Sequence, residues 1–340
     1  MLIVKFHKFI EQLWYARPQG YWLLLHWLLR PIAIVYYAAH WIRKIILNNV
    51  FKHEVTIPII VVGNITVGGV GKTPLVIDLA AKLCGQGLRV GIISRGYKAT
   101  IKTFPFEVNV DCDAAEVGDE SLILAKNTNC PIVIDPKRNR AVEYLIKKYQ
   151  PQIVISDDGL QHYSMGRAIE IVIIDGNRKF GNGWCLPAGP LRELPGRLWH
   201  SDFVIINGKQ EDACNIQAYA MHFKTQNVLI NILSGETYST QTLQEPIAAV
   251  AAIGNPHQFF EHLKKFSLIV HEYAFPDHHI FKSSELQFNE PTVIMTEKDA
   301  VKCRSFARTN WFYLPITAQV DDKFWHALYI HKKLKGLIKL

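Results

Sequence analysis

Cysteine is sparse in this chain. The six residues Cys84, Cys112, Cys130, Cys185, Cys214 and Cys303 are scattered through 340 positions with no CxxC pair. That spacing excludes a disulfide framework and a zinc ribbon, and suits reduced thiols in the cytosol. No internal repeat is evident. Charged residues make up 20% of the chain against 49% hydrophobic, which excludes a disordered or low-complexity protein. No small-residue cleavage site follows the first apolar run, so a cleavable signal peptide is not read. Negative charge is also short: 30 Asp and Glu face 38 Lys and Arg, a formal net charge of +8. The excess points to an anionic partner such as a nucleotide, an acidic lipid or a phosphorylated substrate. No recognisable nucleic-acid module accompanies it, so nucleic acid is not an expected partner.

What the chain does have is one organising stretch, IIVVGNITVGGVGKTP at 59–74. A β-branched run ends at Val62, a glycine-rich turn follows, and an apolar-periodic segment begins near Leu75. This is the strand, loop and helix order of a P-loop. Its glycines let backbone N–H groups turn inward as an anion nest, and the helix N-terminus adds partial positive charge. The expected nucleotide-binding set is Thr66, Val67, Gly68, Gly69, Val70, Gly71, Lys72 and Thr73. Lys72 would reach the β- and γ-phosphates, and the Thr73 hydroxyl would hold Mg²⁺. Thr66 stands where the general pattern wants glycine. A nucleoside triphosphate, ATP with Mg²⁺, is the expected ligand.

The first 45 residues are unusual for a soluble enzyme. Tyr21 to Trp41 reads YWLLLHWLLRPIAIVYYAAHW, long enough to consider a membrane span. At about 100° per residue, His26, Arg30, Ala33, Tyr37, His40 and Lys44 fall on one narrow stripe. A mid-span Arg30 would cost about 2.5–3.5 kcal/mol, and Pro31 would kink the helix there. Lying in the interface with Arg30 and Lys44 towards headgroups avoids that cost. Packing against the protein's own body is the alternative.

Further along, the strand Leu88–Ile93 ends in Ser94-Arg95-Gly96-Tyr97, which makes Arg95 either an anion contact or a plain surface arginine. Val117-Gly118-Asp119-Glu120 precedes a helical run, and Asp119 by itself reads as a helix N-cap. Asp135 to Arg140 brings three basic groups to a strand-to-helix junction, with Arg138 the candidate phosphate contact, though a solvated basic face is the commoner outcome for such a run. Gln152 to Gly159 reads as a Walker B element, its Asp157 and Asp158 completing the Mg²⁺ shell. Gly181 to Gly196 shows neither helical nor strand period; loops this long are often functional. A domain boundary is placed near Asn207, dividing the chain into 1–45, 46–206 and 207–340. His278 and His279 lack a third ligand at matching spacing, so no metal site is read there. Thr296-Glu297-Lys298-Asp299 has the wrong order for the guanine-reading NKxD. The tail Asp321–Leu340 reads as a basic amphipathic helix, with core packing and a second membrane contact both open. The fold class is α/β: a P-loop NTPase-type, mostly parallel sheet flanked by helices. A smaller α/β C-terminal domain and an N-terminal membrane-associating helix complete it.

In order, GNITVGGVGKTP, SRGY, VGDE, SDDGLQH, LPAGPLRE, FPDHH and TEKDAVK resemble the tetraacyldisaccharide 4′-kinases of lipid A synthesis across most of the chain. That family's P-loop also lacks the first glycine, so Thr66 agrees with it. The resemblance implies ATP-dependent phosphorylation of the 4′-hydroxyl of a lipid A disaccharide 1-phosphate at the cytosolic face of the inner membrane. It makes Asp119 the catalytic base, paired with His278, and Asp157 and Asp158 the Walker B pair. Glu193 would be an additional acidic contact to the metal region. A monomer is expected. The rival from another class is a membrane-associated switch ATPase of the MinD/ParA type, but those carry a lysine where this chain has Val67.

Overall fold

The computed structural model describes residues 2–16, 19–49, 55–208, 216–225, 227–266 and 268–338; Cys214 lies outside the described residues. The five cysteines among them are free thiols.

Two helices lead the chain, α1 (Leu2–Tyr15) and α2 (Tyr21–Asn49), the latter running unbroken through Pro31. The polar stripe of α2 turns towards the protein body. His26 and Ala33 are buried, His26 Nε2 lies 3.1 Å from the Leu13 carbonyl, and the Arg30 guanidinium sits 4.7 Å from the Trp184 ring centre. Lower down, His40 is 2.9 Å from the Tyr163 hydroxyl and Lys44 is 3.8 Å from Glu193. The expectation that Arg30 and Lys44 face headgroups is therefore corrected. Each finds a π face or a carboxylate inside the protein, and the outward face keeps Leu24, Trp27, Leu28, Ile32, Val35 and Trp41 exposed.

The P-loop strand β1 (Ile59–Gly63) feeds α3 (Lys72–Gly85) and β2 (Val90–Ser94). Then come β3 (Phe106–Val108), α4 (Ala114–Val117), α5 (Asp119–Asn127), β4 (Ile132–Ile134) and α6 (Arg138–Tyr149). Next along the chain are β5 (Ile153–Asp157), β6 (Ile169–Asp175), β7 (Phe203–Asn207) and β8 (Tyr219–Thr225). Every residue of β1 is buried, as a strand covered on both faces requires. Ile60 and Val62 join the core that holds α3, whereas Ile59 and Val61 join the core that holds α6. That alternation is the period of two in a pleated strand.

The second half supplies β9 (Val228–Asn231), β10 (Thr237–Ser239), β11 (Ile247–Ala251), α7 (Pro256–Lys264) and β12 (Val270–Ala274). It continues with β13 (Thr292–Thr296), α8 (Glu297–Cys303), β14 (Trp311–Leu314), β15 (Ile316–Val320) and α9 (Asp322–Tyr329). Among the described residues two sheets form, in the orders β15-β8-β7-β6-β1-β5-β2-β4-β3 and β10-β9-β14-β13-β11-β12.

The boundary expected at Asn207 does not match this topology. β8 pairs parallel to β7, and β15 returns from the second sheet, directly after β14, to pair antiparallel with β8. Their pairing covers an edge of β7 that would otherwise expose unpaired backbone groups. The second sheet is thus an insertion between β8 and β15. The tail is settled too: Phe324, Trp325 and Leu328 of α9 bury in the same core as α3, so it packs inward.

Candidate active site

Parallel pairing in register sets Val62 beside Asp157, so the P-loop and the Walker B turn leave the sheet side by side. Gly71 caps α3 in the left-handed region at φ 96°, and a Cβ there would come within 2.7 Å of Phe223. Glycine is required at that point. The 184–194 loop braces the other side: Val67 N–H donates to Pro190 O at 2.8 Å, and Arg192 N–H donates to Ile65 O at 2.7 Å. Asn207, at the end of β7, donates to Val70 O at 3.0 Å.

Lys72 Nζ donates to Asn64 Oδ1 at 3.2 Å and lies 3.4 Å from Asp158 Oδ1. Asp158 also faces Arg192 at 3.4 Å. Burial alone would raise the Asp158 pKa, but Lys72 and Arg192 outweigh it and hold it below the usual carboxylate range. Its neighbour behaves oppositely. Asp157 is 1% exposed; burial, then the negative charges of Glu120 and Asp158, push it upward. Its Oδ2 accepts from Ser94 at 3.4 Å, while its Oδ1 is buried without a hydrogen-bond partner.

Beside α3 on the same sheet, Gly118 (φ 86°) caps α5, and a Cβ there would meet the Tyr97 carbonyl at 2.5 Å. Asp119 is therefore the first residue of the helix and not its cap, and its Oδ1 accepts from Glu120 N–H at 2.9 Å. Asp119 Oδ2 lies 3.1 Å from His278 Nδ1, a contact spanning 159 positions of sequence. Burial would raise the Asp119 pKa; the His278 hydrogen bond and the Lys298 charge override it and hold it down at about 2.

Between the two sheets lies a cleft of about 210 Å³. Gly69 to Pro74 form one wall, Ile253 to Asn255, Asp277 and Thr296 to Lys298 the other, and Glu120 lies between.

The other expected site residues divide. Thr73 lines the cleft, and Arg95 is exposed at the end of β2. Arg138 is not a surface contact for substrate phosphate: it is 2% exposed, and its Nη2 donates to Asp157 O at 2.8 Å. Its charge is spent holding the Walker B backbone. Glu193 is 3% exposed, facing Arg197 at 3.4 Å and Lys44 at 3.8 Å and accepting from Gln161 at 3.0 Å. Burial opposes its ionisation, but His40, Tyr163, Gln161 and Arg197 hold its pKa down at about 2.

Two residues escaped the sequence reading. Asn64 sits in the quoted P-loop stretch, but only the fold shows it holding Lys72. Lys298 falls in the TEKD stretch, whose order is wrong for NKxD; its position just past the end of β13, where ligands gather in such sheets, is the usable signal.

A parallel sheet, a lysine-bearing loop at a helix N-terminus and a paired carboxylate opposite define a P-loop phosphotransferase. The sequence profile of the family described as tetraacyldisaccharide-1-P 4′-kinase matches residues 25–333, and the chain belongs to that family of kinases. It is 48% identical to the tetraacyldisaccharide 4′-kinase of Legionella pneumophila (strain Lens) over 96% of this chain and 98% of that one. It is 42% identical to the enzyme of that name from Haemophilus influenzae (strain 86-028NP), over 91% and 92% of the two chains. A crystal structure of LpxK from Aquifex aeolicus in complex with ATP superposes with a TM-score of 0.75 at 26% identity, covering 90% of this chain and 98% of that one.

Proposed function

We propose that this kinase transfers the γ-phosphate of ATP to the 4′-hydroxyl of a tetraacyl disaccharide 1-phosphate, a lipid A precursor. The reaction runs at the cytosolic face of the inner membrane. One observation carries the reading: Asp119 is buried against His278 at 3.1 Å, beside the cleft into which Lys72 and Thr73 face. The nucleotide phosphates occupy the nest of 68–73, and Lys72 exchanges its contact with Asp158 for phosphate oxygens. Asp119 accepts the proton of the sugar hydroxyl as its oxygen bonds the γ-phosphorus and the bond from that phosphorus to the β-phosphate oxygen breaks, releasing ADP. Its low pKa is compatible with that role, because phosphoryl transfer rests mainly on positioning and charge stabilisation.

The residues present fit Mg²⁺. The unpartnered Asp157 Oδ1 is a ready oxygen donor next to the P-loop, and Thr73 supplies the hydroxyl. When bound, the ion would neutralise charge on the phosphate oxygens. Glu193 in this reading holds the P-loop and not the ion.

An acceptor with several acyl chains leaves a bilayer only at about 0.8 kcal/mol per CH₂ exposed. The outward apolar face of α2 brings the enzyme to it, lying in the interface with its polar stripe on the protein. The test is transfer of labelled phosphate from ATP to a lipid A disaccharide 1-phosphate in mixed micelles, with Lys72→Ala as control. Lys72-dependent labelling of lipid is expected. ATP hydrolysis with no lipid product would overturn the reading in favour of a switch ATPase.

A further inference from the structure

The Asp119–His278 pair has a third member. Lys298 Nζ lies 3.1 Å from His278 Nε2, 3.3 Å from Glu120, 3.7 Å from Asp277 and 4.0 Å from Asp119. It reaches these groups from the start of α8, so it joins the second sheet's side of the cleft to α5 on the first. Burial works against its charge, but Glu120, Asp119 and Asp277 outweigh it and raise its pKa, so it remains an ammonium.

An ammonium has donors and no acceptor. Facing it at 3.1 Å, His278 Nε2 has to accept, which leaves the ring proton on Nδ1, the atom turned to Asp119 Oδ2. The opposite tautomer would set N–H against ammonium on one side and a bare nitrogen against carboxylate on the other. The backbone holds the ring in place for this choice. His278 has φ 58°, its N–H donates to Ala252 O at 3.2 Å, and Lys98 Nζ donates to its carbonyl at 3.2 Å.

We propose that Lys298 is a positioning residue for phosphoryl transfer: it fixes His278 in the Nδ1–H tautomer that orients the Asp119 carboxylate towards the acceptor hydroxyl. This rests on the reading of Asp119 as the base. Because Lys298 also bonds Glu120 across the cleft, the orientation is complete only when the two sides are together.

Two measurements test it. In wild-type protein with ¹⁵N-labelled histidine, NMR should place the His278 proton on Nδ1; a resonance pattern with the proton on Nε2 overturns the proposal without any variant. In micellar assays Lys298→Met should lower kcat about tenfold to a hundredfold, the scale of a misplaced catalytic group, with KM for ATP within about twofold. Lys298→Arg, which keeps a donor, should recover most of the rate. A Lys298→Met loss confined to KM, or an unchanged Nδ1–H signature in that variant, overturns the proposal. Asp119→Asn run alongside separates the failures. Full activity there removes the base reading itself, whereas an inactive Asp119→Asn beside a fully active Lys298→Met removes only the role of Lys298.

Discussion

Two buried carboxylates in this protein look alike and sit in different places. Asp119 meets His278 and Lys298 at the cleft between the sheets; Glu193 meets His40, Lys44 and Arg197 between α2 and the P-loop. Each is buried and each is held at about 2 by its partners. Perturbation therefore does not separate the two sites. Location does: the Asp119 network borders the cleft that the P-loop lines, through Glu120, Asp277 and Lys298, while the Glu193 partners Lys44, Tyr163 and Arg197 line a separate pocket of about 490 Å³ that holds no P-loop residue. Gln161 links Glu193 to the Asn64 carbonyl, so the second network steadies the loop that the first one serves.

The sharpest way to break this comparison is to neutralise each acid. Asp119→Asn should lower kcat by about 10²–10⁴-fold, the usual worth of a general base, with ATP binding near normal. Glu193→Gln should cost far less in rate. An equal loss from Glu193→Gln at unchanged stability would return Glu193 to the metal. Next in size is the outward face of α2. Replacing Trp27, Leu28 and Ile32 with Ser should weaken vesicle binding by about a hundredfold, since burying each such side chain is worth roughly 1.5–3 kcal/mol when complete. ATP binding measured on the same variant should not change. Persistent vesicle binding would sink the anchor.

Glu193→Ala should lower stability by about 1–3 kcal/mol, because Gln161 and Lys44 lose a buried acceptor while Arg197 keeps Glu170. Thermal unfolding reads this as a drop of several degrees. The effect on pH dependence is of similar size. Both carboxylates have folded pKa values below the usual value of about 4, so their stabilisation is complete above that value and drains away as pH falls towards about 2. Each contributes at most on the order of 2–3 kcal/mol. Acid unfolding curves should flatten in both Glu193→Gln and Asp119→Asn; curves identical to wild type in both variants would contradict the assignment.

The P-loop was legible because its chemistry is local. Gly71, Lys72 and Thr73 act through one turn, and the β-branched run before them admits little but a buried strand. Asp157 and Asp158 were legible for the same reason. Arg138 was misread because a basic residue at a strand end looks the same whether it faces solvent or folds under the Walker B turn. The stripe on α2 was seen correctly as a stripe, but amphipathic periodicity gives no sign of which side holds the protein. Lys298 was missed because its partners lie in segments separated by up to 179 positions, Asp119 among them.

The sequence by itself determined the class of chemistry, since nest, lysine, hydroxyl and paired aspartates are fixed by neighbours in the chain. It also determined that an apolar helix leads. Only the tertiary structure showed that Asp119 meets His278 and Lys298 beside the cleft while Glu193 lies beneath α2. Through-space distances between such remote segments are set by packing, which no local pattern records.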